Sequence, residues 1–133
     1  MKDLVWDNML SFGIDEVDDD HRKLVGLFNI LNHSVTGEDA PEYLMAVLEE
    51  LINCTAWHFS HEERLMLKCG FEEYAKHKAE HRKLIKSAKG LQKKILLAGN
   101  HVEGEDVEFL ERWLTEHIIT ADMKMCSYLA MEK

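Results

Sequence analysis

The stretch PEYLMAVLEELINCTAWHFSHEERLMLKCG, residues 41–70, decides the fold. Leu44, Val47, Leu48, Leu51, Cys54, His58 and Leu65 fall on one stripe of a 3.6-residue period, with polar residues between them. Pro41 suits a first helical turn and Gly70 a stop, so the spacing predicts a helix from about Pro41 to Lys68. Such a helix must bury its stripe against other elements, and the rest of the chain offers helices. A first is expected from about Asp19 to Val35, with stripe Leu24, Val25, Phe28, Leu31 and Val35. Asp18, Asp19 and Asp20 lie at its positive end. A third runs from about Glu72 to Ala98 through His77, His81, Leu84, Ile85, Ala88, Leu91 and Ile95, and Gly99-Asn100 closes it. A fourth begins near Asp106 and reaches about Met131 with one break, through Leu110, Trp113, Leu114, His117, Ala121 and Tyr128. Four amphipathic helices with short connections predict an all-α, antiparallel up-down-up-down four-helix bundle. Trp6, Phe12 and Ile14 make residues 1–17 an ordered arm along it.

Composition narrows the function. A length of 133 residues suits a single domain, 1–133, and 46% hydrophobic residues suffice for a core. Twenty-five Asp and Glu against sixteen Lys and Arg give a net charge of −9, which argues against nucleic acid and anionic membrane as partners and fits a soluble monomer. Asp3 and Asp7 interrupt the apolar run that a signal peptide needs. Three cysteines with no Cys-x-x-Cys pair imply no disulfide framework, so a cytoplasmic location is expected. Cys54 reads as core filler.

Eight histidines are far more than ordinary usage. His58 and Glu62 lie within about 40° of each other on a helix, on the face of Leu51 and Leu65, whereas Glu63 falls about 140° from His58, on the solvent side. His77 and His81 repeat the i, i+4 spacing on the third stripe. His117 sits beside Trp113 and Leu114, and His21 lines up with Val25 and Phe28. Each of the four helices thus turns an imidazole inward, and one adds a carboxylate. Several neutral imidazoles in one apolar core lack partners for their ring nitrogens, and a metal would satisfy them together. Five histidines and one or two carboxylates exceed the four ligands of a structural zinc site. Two metals sharing carboxylate bridges fit better, and di-iron is the choice on bundle-core chemistry. His61 reads as a partly exposed extra histidine with a possible outer-shell role, and His33 and His101 as solvated.

The run His58-Phe59-Ser60-His61-Glu62-Glu63, then His77-x-x-x-His81, then His117-Ile118-Ile119-Thr120-Ala121-Asp122, resembles the bacterial branch of the hemerythrin family. The upstream Trp6…Gly13-Ile14…Asp18-x-x-His21-x-x-Leu24 resembles its beginning, so the likeness covers essentially the whole chain. The resemblance implies reversible O2 binding, without catalysis, at two irons (Fe2+/Fe3+) joined by an oxo or hydroxo bridge. By motif position His77, His81 and His117 would hold one iron, His21 and His58 the other, and Glu62 and Asp122 would bridge them. Resemblance and periodicity together nominate Leu24, Phe59, Trp113, Leu114 and Ile118 as the apolar wall of the O2 pocket. Periodicity alone does not select Asp122. It stands i+5 from His117, about 140° away on a regular helix, so a π-bulge or break between 117 and 122 is expected. The other readings are a di-iron enzyme (an oxidase, a peroxidase or a nitric-oxide-handling protein), a sensor acting through a protein partner, metal handling without O2 chemistry, and a plain helical interaction module. The chain has no Glu-x-x-His motif built from its inward ligands, which disfavours the ferritin-like enzymes.

Overall fold

A computed structural model describes residues 15–99 and 101–119, and the side chains of 19–99 and 101–116. Four α-helices follow in order: α1 (Asp15–Thr36), α2 (Pro41–Cys69), α3 (Tyr74–Leu97) and α4 (Gly104–Arg112). The last runs directly into a π-helical segment, Trp113–Ile119. There is no strand among the described residues. The expected arm and the distal half of the expected fourth helix lie outside them.

The helix ends follow from local chemistry. Pro41 opens α2 where its missing N–H costs no hydrogen bond. Gly70 closes it at φ 69° and ψ 37°, a left-handed conformation that glycine adopts without strain. The Phe71 N–H then donates to the Met66 carbonyl at 3.0 Å, and the Gly70 N–H to that of Leu67 at 3.4 Å. At the start of α4 the Asp106 carboxylate accepts the Glu103 N–H at 3.0 Å and the Lys94 ammonium at 3.1 Å, tying the helix to the end of α3. α1 begins earlier than the acid run implied, so Asp19 and Asp20 sit within the helix: Asp19 is exposed beside Arg22 of the same helix, and Asp20 faces α2.

α1 packs on α2, α2 on α3, and α4 with the π segment against α1, in the bundle arrangement. Leu24, Val25, Phe28 and Leu31 of α1 are buried against Leu44, Val47, Leu48, Leu51 and Ile52 of α2. Ala88 and Ile95 of α3 and Val107, Leu110, Trp113 and Leu114 complete this core. The α2 stripe departs from expectation at one place. Leu65 is half-buried while Met66 is fully buried, because Met66 continues the i, i+4 row of His58 and Glu62. Cys54 is half-buried and packs against the edge of the core. No helix among the described residues is long and apolar enough to cross a membrane.

Within the π segment the Thr115 hydroxyl donates to the Glu111 carbonyl at 2.8 Å, as Thr55 does to Leu51 in the regular helix α2. Trp113, at the first position of the segment, donates its indole N–H to the Leu84 carbonyl of α3 at 2.9 Å. It thereby fixes the segment against α3. Replacing Trp113 with Phe removes that bond and some buried volume. The expected loss is about 1–3 kcal/mol of unfolding free energy, measured by denaturant titration of the metal-free chain.

Candidate metal centre

Antiparallel packing brings the first turns of α1, the last third of α2, the first turns of α3 and the π segment to one end of the bundle. The other end is filled with leucine, isoleucine and valine. At the polar end His21, His58, His61, Glu62, His77 and His81 are all buried. His21 meets His58 edge to face with ring centroids 4.7 Å apart, and His77 meets His81 in the same way at 4.4 Å. Phe59 lies between the pairs. It is stacked flat on His81 at 3.8 Å and stands 6.0 Å from His58.

Glu62 is the centre of this cluster. Its carboxylate has no solvent exposure. One oxygen, Oε2, lies 3.1 Å from Nε2 of His58, and the other, Oε1, lies 3.1 Å from Nε2 of His81 and 3.8 Å from Nε2 of His77. Neither oxygen accepts a hydrogen bond. The Nδ1 partners of these rings bear on where the ring protons sit. His58 places Nδ1 2.8 Å from Asp20 Oδ2, and His81 places Nδ1 3.1 Å from Glu63 Oε2. A neutral imidazole that donates from Nδ1 presents only a lone pair at Nε2. With the ring protons on Nδ1, lone pairs of nitrogen and carboxylate oxygen converge with no proton between them. That arrangement repels unless a cation occupies the space.

The same atoms form two overlapping groups: His21, His58 and Glu62, and Glu62, His77 and His81. In each, the ligating atoms lie within 4.8 Å of one another, and every member is buried. Glu62 belongs to both, the placement of a bridging carboxylate. The donor set, neutral imidazoles around a shared carboxylate, suits a borderline transition metal such as iron or zinc.

Of the remaining predicted residues, Leu24, Phe59, Trp113 and Leu114 are buried. His117 and Ile118 belong to the π segment, and their side chains are outside the description. Asp122 is outside the described residues altogether. The helix does leave α geometry on this stretch, starting at Trp113 and so earlier than the interval from 117 to 122. A groove of about 510 Å3 between α1 and α2 reaches His58; Leu24, Cys54 and Trp57 line it together with the charged Asp20, Lys23, Glu49 and Glu50.

Three residues were misjudged from the sequence. His61 is buried, not partly exposed, and its Nδ1 lies 2.7 Å from the same Asp20 oxygen that serves His58. Glu63 is not on the solvent side. Its side chain is 18% exposed and bonds His81 across the α2–α3 boundary, with the Lys78 ammonium 3.8 Å away. Asp20 is more than helix-start charge, because its side chain is only 12% exposed. Burial raises its carboxyl pKa, but the hydrogen bonds from His58 and His61, joined by the charge of these rings when they are protonated, outweigh that and hold it below the ordinary carboxylate value. His33 and His101 are exposed, as expected.

With this geometry in view, comparison with known proteins is decisive. The sequence model described as the hemerythrin HHE cation binding domain matches residues 13–129. The chain belongs to the hemerythrin family. It is 33% identical over 122 residues to a bacteriohemerythrin of Pseudomonas paraeruginosa, covering 92% of this chain and 78% of that protein. It is 32% identical over 119 residues to a hemerythrin-like protein of Naegleria gruberi, covering 90% and 87%. A crystal structure of wild-type hemerythrin superposes with a TM-score of 0.81 at 30% identity, covering 95% of this chain and 97% of that one. A family member with this cluster should lose metal when its centre is removed. Glu62→Ala is expected to abolish stable metal occupancy, and His101→Ala to leave it unchanged, as read by metal content per chain after gel filtration.

Proposed function

We propose that this hemerythrin-family chain, a single domain, binds O2 reversibly at a pair of irons in the polar end of the bundle, serving storage, delivery or buffering. The observation that carries the reading is the pair of buried ligand groups sharing Glu62. Family membership supports iron as the metal. Bound there, the irons would supply the electrons that O2 takes up on binding and returns on release.

The chain's own residues would do the rest. His21 and His58 would hold one iron and His77, His81 and His117 the other, with Glu62 and Asp122 between them. The iron with two imidazoles would keep the open position. Leu24, Phe59, Trp113, Leu114 and Ile118 would keep water and protons away from it, as an apolar shell does for a metal site. The groove beside Leu24, which reaches His58, would be the approach for O2. Five neutral imidazoles neutralise the metal charge less than a carboxylate-rich set would. This restrains oxidation to high-valent states and favours release of O2 over its activation.

The test is spectroscopic. The iron-loaded chain is reduced anaerobically, exposed to O2, and then purged. A visible charge-transfer band that appears with O2 and disappears on purging is the expected result. Irreversible oxidation with turnover of a reductant would replace this reading with an enzymatic one.

A further inference from the structure

We propose that Asp20 and Glu63 are positioning residues for the metal centre, each holding the outer Nδ1–H of an imidazole so that the ring's Nε2 lone pair is presented to the metal. The proposal rests on the reading of Glu62 and its imidazoles as ligands, and adds two residues that lie outside that ligand set.

The argument turns on where one proton sits. A neutral histidine carries a single N–H and can place it on either nitrogen. His58 and His81 each have a carboxylate within reach of both. Nε2 faces a Glu62 oxygen at 3.1 Å in both rings. Nδ1 faces Asp20 at 2.8 Å in His58, and Glu63 at 3.1 Å in His81. With the proton on Nε2, the ring could not ligate through that atom, and Glu62, whose oxygens accept no hydrogen bond at these angles, would gain no partner from it. With the proton on Nδ1, the Nε2 lone pair and the Glu62 oxygens face the same space. Asp20 and Glu63 therefore decide whether the two rings present a lone pair to a metal.

Both carboxylates are braced from outside. Asp20 Oδ2 also lies 2.7 Å from Nδ1 of His61, whose ring rests against the exposed Trp57 indole with centroids 5.5 Å apart. Glu63 has the Lys78 ammonium at 3.8 Å. Each contact also crosses a helix boundary, Asp20 from α1 to α2 and Glu63 from α2 to α3. A purely structural tie between helices is the competing explanation, and the test must separate the two.

The experiment uses the full chain loaded with zinc as a diamagnetic probe, with ring protons followed by 15N NMR, and in parallel the release of ferrous iron to a chelator. Wild type should show slowly exchanging Nδ1 protons on His58 and His81. Asp20→Ala should lose that signal for His58 and keep it for His81, and Glu63→Ala should do the reverse. Each variant should release iron about 10–100-fold faster. Asp20→Glu, which restores an acceptor, should recover the His58 signal. Variants that melt at lower temperature but keep both ring-proton signals and the wild-type release rate would overturn the proposal and leave the contacts as helix ties. Failure of the wild-type chain to take up either metal would instead overturn the metal reading beneath it.

Discussion

A carboxylate with no access to water, placed among imidazoles that do not donate to it, is the constraint on which the rest of this structure depends. Burying a polar group without hydrogen-bond partners is costly. The Glu62 carboxyl is fully buried, accepts no hydrogen bond, and turns its two oxygens to the Nε2 atoms of rings from α2 and α3. The apolar end of the bundle must therefore hold the helices together well enough to keep the polar end assembled. Phe28, Leu31, Leu48, Ile95 and Leu110, all at or near zero exposure, serve that purpose. Metal binding and folding are coupled in such a site, because the two ligand groups around Glu62 exist only when α1, α2 and α3 meet.

The architecture separates these tasks along the bundle axis. Connections between helices are short, so antiparallel neighbours place one end of α1 and α3 beside the other end of α2 and the π segment. Residues far apart in sequence, such as Asp20 and His61, come within hydrogen-bond distance for that reason. Phe59 links the two halves of the cluster, stacked on His81 and within 6.0 Å of His58. The Trp113 indole bond to α3 fixes the segment where the helix widens from α to π geometry.

Periodicity made much of this legible. The stripes through Leu24 and Phe28, through Leu44 to Leu51, and through His77, His81, Ala88 and Ile95 are buried as their spacing predicts. It failed on the shoulders of those stripes. His61 and Glu63 flank Glu62, each turned about 100° from it, and a single helix read alone assigns both to solvent or to its edge. α2 is packed by α1 on one side and α3 on the other, so its buried arc is wider than one stripe and takes in both shoulders. Asp20 was misread for the same reason on α1. The exchange of Leu65 for Met66 is a smaller case. Both lie near the stripe, and the neighbouring helix decides which of them it covers. From the five-residue step between His117 and Asp122 an irregularity is expected between 117 and 122; the described π segment begins earlier, at Trp113, and Asp122 lies outside the described residues.

The sequence by itself determined the helical class, the family through its ordered histidine motifs, and the inward residues at the centre of each stripe. These depend on local spacing, which the 3.6-residue turn converts directly into a face. Tertiary structure alone decided the outer partners. It set Asp20 on His58 and His61, set Glu63 on His81, and turned two Nε2 atoms towards one carboxylate. A hydrogen bond between side chains on different helices depends on their relative rotation and axial offset. No periodicity within one helix encodes either.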